Sequence, residues 1–385
     1  MRVRYGMVGG GPGAFIGAVH RMAAALDGRY ELVAGAFSSD AGKSARAGAE
    51  LGLDASRTYG SWEEMADAEA SLPEDERIEA VSIVVPNHLH HGVAKSFLER
   101  GFHVICDKPL TTTVGDAEDL CRAVAARDLR FAVTYNYTGY PMVKEARELV
   151  RGGALGAVRK VFVEYSQGWL STLLEADGQK QAAWRTDPER AGPSSALGDI
   201  GSHAHNLLRY VTGLEAVRLF ADLGTVVEGR RLEDDAHLLL ELESGVRGTL
   251  LVTQVAAGER NHLRLRVYGT EGGLDWSQEE PEALRLLEPD GSVRILHRGG
   301  DGLSPRAAAY TRLPAGHPEG FLEAFANVYL AFARTLRGER EAFADDYPTV
   351  EDGARGVHFV ERALESQSLG GWVDAGYAPP VEARR

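Results

Sequence analysis

Only two cysteines, Cys106 and Cys121, occur in 385 residues, which excludes a disulfide framework and offers no paired metal-ligand spacing. One falls on an expected strand and the other on an expected helix, so we read a reducing cytoplasm and no metal. Also missing is any charge-free apolar run near the roughly 20 residues a membrane helix needs. The opening MRVRYGMVGG enters a strand directly, without the apolar stretch of a signal peptide, and no membrane role is expected. Basic residues are outnumbered, 42 Lys and Arg against 56 Asp and Glu, for a formal net charge of -14. A nucleic-acid partner needs a concentrated basic face, and no Lys/Arg cluster supplies one. What the chain has in quantity is apolar residues, 44 %, and length enough for a large core in two domains.

Strand-like runs at residues 3–8, 30–36, 80–85, 103–106 and 131–134 alternate with helical stretches at 16–26, 41–51, 61–70, 88–100 and 113–126. Alternation of this kind specifies an α/β domain with a doubly wound parallel sheet of the Rossmann type over residues 1–135. A helix at 141–151 then gives way to β-rich segments at 158–165, 237–242, 247–255 and 262–268. Residues 136–385 therefore read as an α+β domain with a large, mostly antiparallel open sheet. GDIGSHAHNLLRYVTG is expected as one helix, with two more at 321–336 and 348–366. The Gly/Pro-rich piece 299–320 reads as a loop, a candidate lid or subunit arm.

In VGGGPGAFIG, Gly9 and Gly11 stand where a strand must turn sharply and let backbone N–H groups approach phosphate oxygens. Pro12, Gly13, Ala14 and Phe15 carry the turn into a helix and belong to the same dinucleotide site. Gly9, Gly11, Gly13 and Gly17 fit no single GxGxxG, so the turn is expected to hold an insertion. At the end of the second strand, GAFSSDAGKS puts Phe37 or Ser38 where a ribose-binding acid is usual. Ser38 and Ser39 can bond a hydroxyl or a phosphate, and Asp40 can reach a ribose. Lys43 and Arg46 either neutralise a 2′-phosphate or form a solvated helix face. NAD is the favoured cofactor, with NADP left open.

CDKPL places Asp107, Lys108 and Pro109 at a strand's C-terminal end, where open α/β sheets bind ligands. Asp199 and His203, four positions apart in GDIGSH, share one helical face and can meet one ligand. Pro86, Asn87 and His90 in VVPNHLHH, with Lys108 and Pro109, resemble the TPNxxH and EKP segments of the Gfo/Idh/MocA oxidoreductase family. Val85 stands where Thr is common and Asp107 where Glu is common. The resemblance implies that Pro86, Asn87, His90 and Asp107 lie at the nicotinamide, and that Lys108, Asp199 and His203 are the catalytic set. It extends to Trp184-Arg185 in AAWRTDP, which it places near nicotinamide and substrate, and to the late segments RVYGTEGGLDW and GHPEGFLEAFANVY. Tyr135 and Asn136, at another strand end, can contact ribose or sugar hydroxyls, and Gln167 and Trp169 offer an amide and a flat aromatic face.

Oxidising a secondary alcohol needs a base for the hydroxyl proton while hydride leaves for the nicotinamide; Lys108 and His203 are the candidates. GGPGAFIGAVHR, NYTGYP and QGW look closest to family members acting on cyclic polyols and pyranoses, such as the levoglucosan and inositol dehydrogenases. The implied activity is NAD(P)-linked oxidation of a ring hydroxyl to a ketone, by a homo-oligomer, a dimer or tetramer paired through the open sheet. Two rivals stand beside it: an NAD-dependent glycosidase that oxidises its sugar only transiently, and a non-catalytic nucleotide and sugar sensor.

Overall fold

A computed structural model describes residues 2–339 and 346–380; the remainder, including 340–345 and 381–385 of the expected second domain, lies outside the described residues. Strands β1 (Val3–Gly9), β2 (Tyr30–Ala36), β3 (Ala80–Val84), β4 (His103–Cys106) and β5 (Phe131–Val133) form a parallel sheet in the order β2-β1-β3-β4-β5. Helices α1 (Phe15–Leu26), α2 (Ala41–Glu50), α3 (Trp62–Ser71), α4 (His90–Glu99) and α5 (Val114–Arg127) connect them. Every residue of β3 is buried, which is why the strand reads as a continuous apolar run. Asp40, Ser61 and Thr113 cap the N-termini of α2, α3 and α5 with side-chain oxygens, each contribution about 1 kcal/mol.

The second unit opens with α6 (Pro141–Arg151), β6 (Val158–Ser166), α7 (Lys180–Arg185), α8 (Pro188–Ala191) and α9 (Ser202–Thr212). Strands β7 (Ala216–Gly224), β8 (Asp235–Leu242), β9 (Arg247–Thr253), β10 (His262–Gly269), β11 (Gly273–Ser277), β12 (Ala283–Leu287) and β13 (Val293–His297) follow. Last come α10 (Pro305–Ala309), α11 (Phe321–Leu336), α12 (Val350–Leu369) and β14 (Val373–Asp374). The sheet runs β13-β12-β11-β10-β6-β9-β8-β7-β14, and among the described residues only the β6–β9 pairing is parallel. In β8, Ala236, Leu238, Leu240 and Leu242 point into the core, while Leu239 is 49 % exposed on the uncovered face. Both expected architectures are present; β11 falls in RVYGTEGGLDW, which the family resemblance had marked, whereas β7 and β12 to β14 escaped the sequence reading.

Two expectations change. Residues 299–320 are not a free lid or arm: the segment contains α10, buries Tyr310, and is pinned where Arg312 grips Asp27, which caps the C-terminal end of α1, and Asn327 of α11. The late helices also return to the first sheet, α11 packing on α1 and α12 on α5. Tyr329 of α11 thereby reaches the His20 ring at 2.7 Å and the Ser82 hydroxyl at 2.9 Å inside the first domain.

Candidate active site

The turn after β1 is shaped by close approach. A side chain on Gly9 would lie 2.1 Å from the Val84 carbonyl oxygen, and one on Gly11 2.5 Å from that of Phe37. Gly17 on α1 sits so near Gly10 that its Cβ would fall 2.4 Å from the Gly10 Cα. Gly10, with φ 66°, thus shares the work assigned to its neighbours; three glycines in a row was the available signal. Pro12 and Gly13 are exposed beside Ala14, and Phe15 is 71 % exposed at the start of α1. Ala14 has no side chain to cap α1, so the first-turn amides are left for an anion.

Beyond β2, the Ser38 hydroxyl accepts the Asp40 amide, and Asp40 Oδ1 accepts that of Lys43 at 2.8 Å. Asp40, expected to reach a ribose, is engaged as the cap of α2. Ser39, Lys43 and Arg46 are exposed on this rim.

Pro86 precedes a short 3₁₀ turn, Asn87–Leu89, and the Asn87 amide donates to the Ala191 carbonyl, tying α8 to the first domain. His90 differs from expectation. It is fully buried, with Nδ1 2.8 Å from the Pro109 carbonyl and Nε2 2.9 Å from that of Val85. Both nitrogens face backbone carbonyls and a neutral ring donates to one of them, so His90 packs between the turns carrying Asn87 and Lys108 rather than presenting an atom to a cofactor.

Asp107 accepts the Thr134 hydroxyl at 2.7 Å and lies 3.9 Å from the His20 ring. Burial pushes its carboxyl upward, but His20, Lys108 and Thr134 together hold it well below the usual carboxylate range. The next residue crosses the cleft: Lys108 Nζ donates to Asp199 Oδ1 at 2.6 Å and to the Asp199 carbonyl at 2.8 Å. Asp199 lies in a π-helical turn, Leu197–Gly201, that runs directly into α9. The widened turn keeps Asp199 and His203 on one side, as their spacing suggested. Burial works against the Asp199 charge, and the Lys108 ammonium and Arg185 guanidinium outweigh it, holding the carboxyl well below its ordinary range. Burial, then Lys108, pushes the His203 imidazole well below its usual value, against Asp199 and Asp107. His203 is therefore neutral near pH 7, and its Nδ1 is buried without a partner among the described residues. His205 turns away and stacks on Phe359 at 4.1 Å, which is packing.

Tyr135 corrects another expectation. Its ring is 1 % exposed in the first domain's core, with the hydroxyl toward Gly356 of α12, so it buttresses His203 edge-on at 5.6 Å instead of meeting substrate. Asn136 is buried with its amide nitrogen unpartnered among the described residues, a donor suited to a ligand oxygen. The opposite wall holds Gln167 and Trp169, the indole donating to Gln167 Oε1 at 3.0 Å. Arg185 lies 3.3 Å from Asp199 Oδ2, with its guanidinium 4.2 Å over the Trp184 ring and 5.9 Å from that of Trp169. Tyr165, Gln254 and Asn261, all absent from the sequence reading, complete this wall. Each is a single polar residue at a strand end with no motif around it.

The glycine cradle, the uncapped helix start and the orphaned Asn136 donor fit a dinucleotide. Residues 3–135 match the model of an oxidoreductase family with an NAD-binding Rossmann fold, and residues 143–275 match the GFO/IDH/MocA C-terminal domain. The chain is 30 % identical to levoglucosan dehydrogenase of Pseudarthrobacter phenanthrenivorans, over 96 % of this chain and 97 % of that protein. Among solved structures, an oxidoreductase from Sinorhizobium meliloti is 48 % identical, covering 97 % of this chain and 100 % of that one, with a TM-score of 0.87. An inositol dehydrogenase homolog from Azotobacter vinelandii, complexed with NADH and myo-inositol, is 37 % identical over 97 % of this chain and 98 % of that one, TM-score 0.90. Near-complete coverage of such relatives, together with both matched domains, makes this chain a member of the Gfo/Idh/MocA family of NAD-binding oxidoreductases.

Proposed function

We propose that the protein oxidises a ring secondary hydroxyl of an inositol, pyranose or anhydrosugar to the ketone, reversibly and with NAD. The observation that carries this reading is the Lys108–Asp199 pair spanning the cleft beside a neutral His203. Bound NAD supplies a hydride acceptor at nicotinamide C4. Lys108 has three N–H donors, two already on Asp199, so the third is free to hold the alcohol oxygen. His203 takes the hydroxyl proton, and Asp199 keeps the ammonium in place through the change of charge. Asn136 and the Gly9 to Phe15 turn hold the cofactor, with Asn87, Asp107, Trp184 and Arg185 bordering the nicotinamide. Gln167 and Trp169 suit a flat ring bearing hydroxyls, consistent with the substrates named for the levoglucosan and inositol relatives.

The uncovered sheet face, with Val217, Leu239 and Ile295 between 41 and 49 % exposed, supports a homo-oligomer. Two buried free thiols fit a reducing cytoplasm. The test is a panel of inositols, pyranoses and anhydrosugars with NAD and NADP, followed at the absorbance band of the reduced cofactor. A steady rise with at least one ring polyol is expected; a flat trace throughout, from protein that binds NAD, removes the assignment.

A further inference from the structure

We propose that Gln254 is a positioning residue that joins Asp199 to Gln167, coupling substrate recognition on the second-sheet wall to the Lys108–Asp199 pair. The inference deepens the dehydrogenase reading and rests on it. Gln254 follows β9 directly; its backbone amide donates to the Asp234 carbonyl at 2.9 Å, and the residue is fully buried.

The chemistry of the neighbours fixes how its amide must face. An ionised Asp199 only accepts, so Gln254 Nε2 is the atom at 3.1 Å from Asp199 Oδ2, and its second hydrogen serves Gln167 Oε1 at 3.3 Å. Gln167 Oε1 also takes the Trp169 indole N–H, which cannot accept, so the Gln167 nitrogen turns to Asn261 Oδ1 at 2.8 Å. Asn261 Oδ1 accepts the Tyr165 hydroxyl at 2.6 Å, and Asn261 Nδ2 donates to the Tyr137 oxygen at 3.1 Å. Tyr137 is left to donate to Tyr165 at 2.5 Å. Their rings then meet the His203 ring at 4.7 and 6.4 Å.

Asp199 and His203 are thus linked a second time through a chain of side chains whose polarity is set by a carboxylate at one end and by the indole that donates to Gln167 midway, and which meets His203 by ring packing. Flipping the Gln254 amide would set a carbonyl against that carboxylate and lose both bonds. Arg185, also near Oδ2, has a buried Nε that makes no hydrogen bond among the described residues, so Gln254 is the donor that orients this oxygen there. With Oδ2 held, Oδ1 stays on Lys108.

Two variants and one readout independent of turnover test this. In NAD-loaded enzyme, acylation of Lys108 by a small activated ester is followed by peptide mass spectrometry, with Lys160 and Lys180 as internal standards. Gln254→Leu, which removes both donors at similar volume, should speed Lys108 labelling at least threefold while the standards and NAD affinity stay put. Gln167→Met should speed it in the parent but add little in the Gln254→Leu background. Gln254→Glu sets a second carboxylate beside Asp199, which also faces Lys108, Arg185 and His203. The two acids then share a proton, and the acid limb of the kcat/KM profile should move up by a pH unit or more. Parent-like labelling and an unmoved profile in folded, NAD-binding variants would overturn the proposal; a merely structural role moves neither. Should no ring polyol reduce NAD at all, the dehydrogenase reading fails while the labelling still judges Gln254.

Discussion

Lys108 Nζ and Asp199 Oδ1 stand 2.6 Å apart although 91 positions separate them in the chain. One leaves the end of β4 in the parallel sheet and the other comes from the π-helical turn ahead of α9 in the second unit, so their meeting defines the cleft. Replacing Lys108 with Met should lower kcat/KM about 10²- to 10⁴-fold with NAD affinity changed less than threefold. Isothermal titration alongside steady-state kinetics checks both halves, and near-parent turnover would remove Lys108 from the chemistry.

Acid should weaken the fold in two stages. His90, His203 and His205 are all pushed down, burial being the main cause, so the unfolded chain takes up protons below about pH 6.5 that the folded chain refuses. Asp107, Asp199 and Asp346 are held down by their cationic neighbours despite burial, so the stability they add is complete above about pH 4 and is lost as pH falls through their lowered values. Thermal melts should therefore show a plateau near neutrality, a decline beginning around pH 6.5, and a steeper one below about pH 4. A melting temperature that climbs between pH 7 and 5 would contradict this.

Asp346 offers a sharper stability test. Lys144, 1 % exposed, lies 2.9 Å from its carboxylate, with Arg147 at 2.9 Å and Arg306 at 2.8 Å. Asp346→Asn strands a buried ammonium and should cost about 3–5 kcal/mol in a denaturant titration. Adding Lys144→Met should return part of that loss; no recovery would mean the lysine is not the stranded charge.

Glycine contacts separate the cofactor turn from ordinary helix. Gly17→Val drives a side chain into Gly10 and should weaken NAD binding at least tenfold. Gly92→Ala in α4, where a Cβ meets nothing within 4 Å, should leave NAD binding alone and stabilise slightly. Equal effects at the two positions would deny Gly17 its role.

The parallel half of the fold was legible because strands buried on both faces write continuous apolar runs, as in β3, and helices announce their caps, as at Asp40 and Thr113. The antiparallel half was less so. β13 has four of its five residues exposed and only Leu296 partly buried, leaving no alternation to detect, and β7 interleaves Arg218 and Asp222 with its core positions. Segment 299–320 looked loose because its anchors lie outside it, Asp27 at 285 positions from Arg312 and Asn327 on the following helix. At the site, Lys108, Asp199 and His203 were readable as motif and spacing, whereas Gln254 and Asn261 become visible only once β9 and β10 stand beside β6. Tyr135 misled for the opposite reason: a polar aromatic at a strand end looks like a ligand contact, but here α12 covers it.

The most direct measurement follows the hydrogen itself. Perdeuterated ring polyols that reduce NAD, myo-inositol first, are incubated with the protein and the products read by NMR. Deuterium at C4 of the reduced nicotinamide, matched mole for mole by ketone and formed at least about a hundredfold more slowly with Lys108→Met, is the expected result. Reduced cofactor without label at C4, or none from any inositol, pyranose or anhydrosugar while NAD remains bound, would contradict the account.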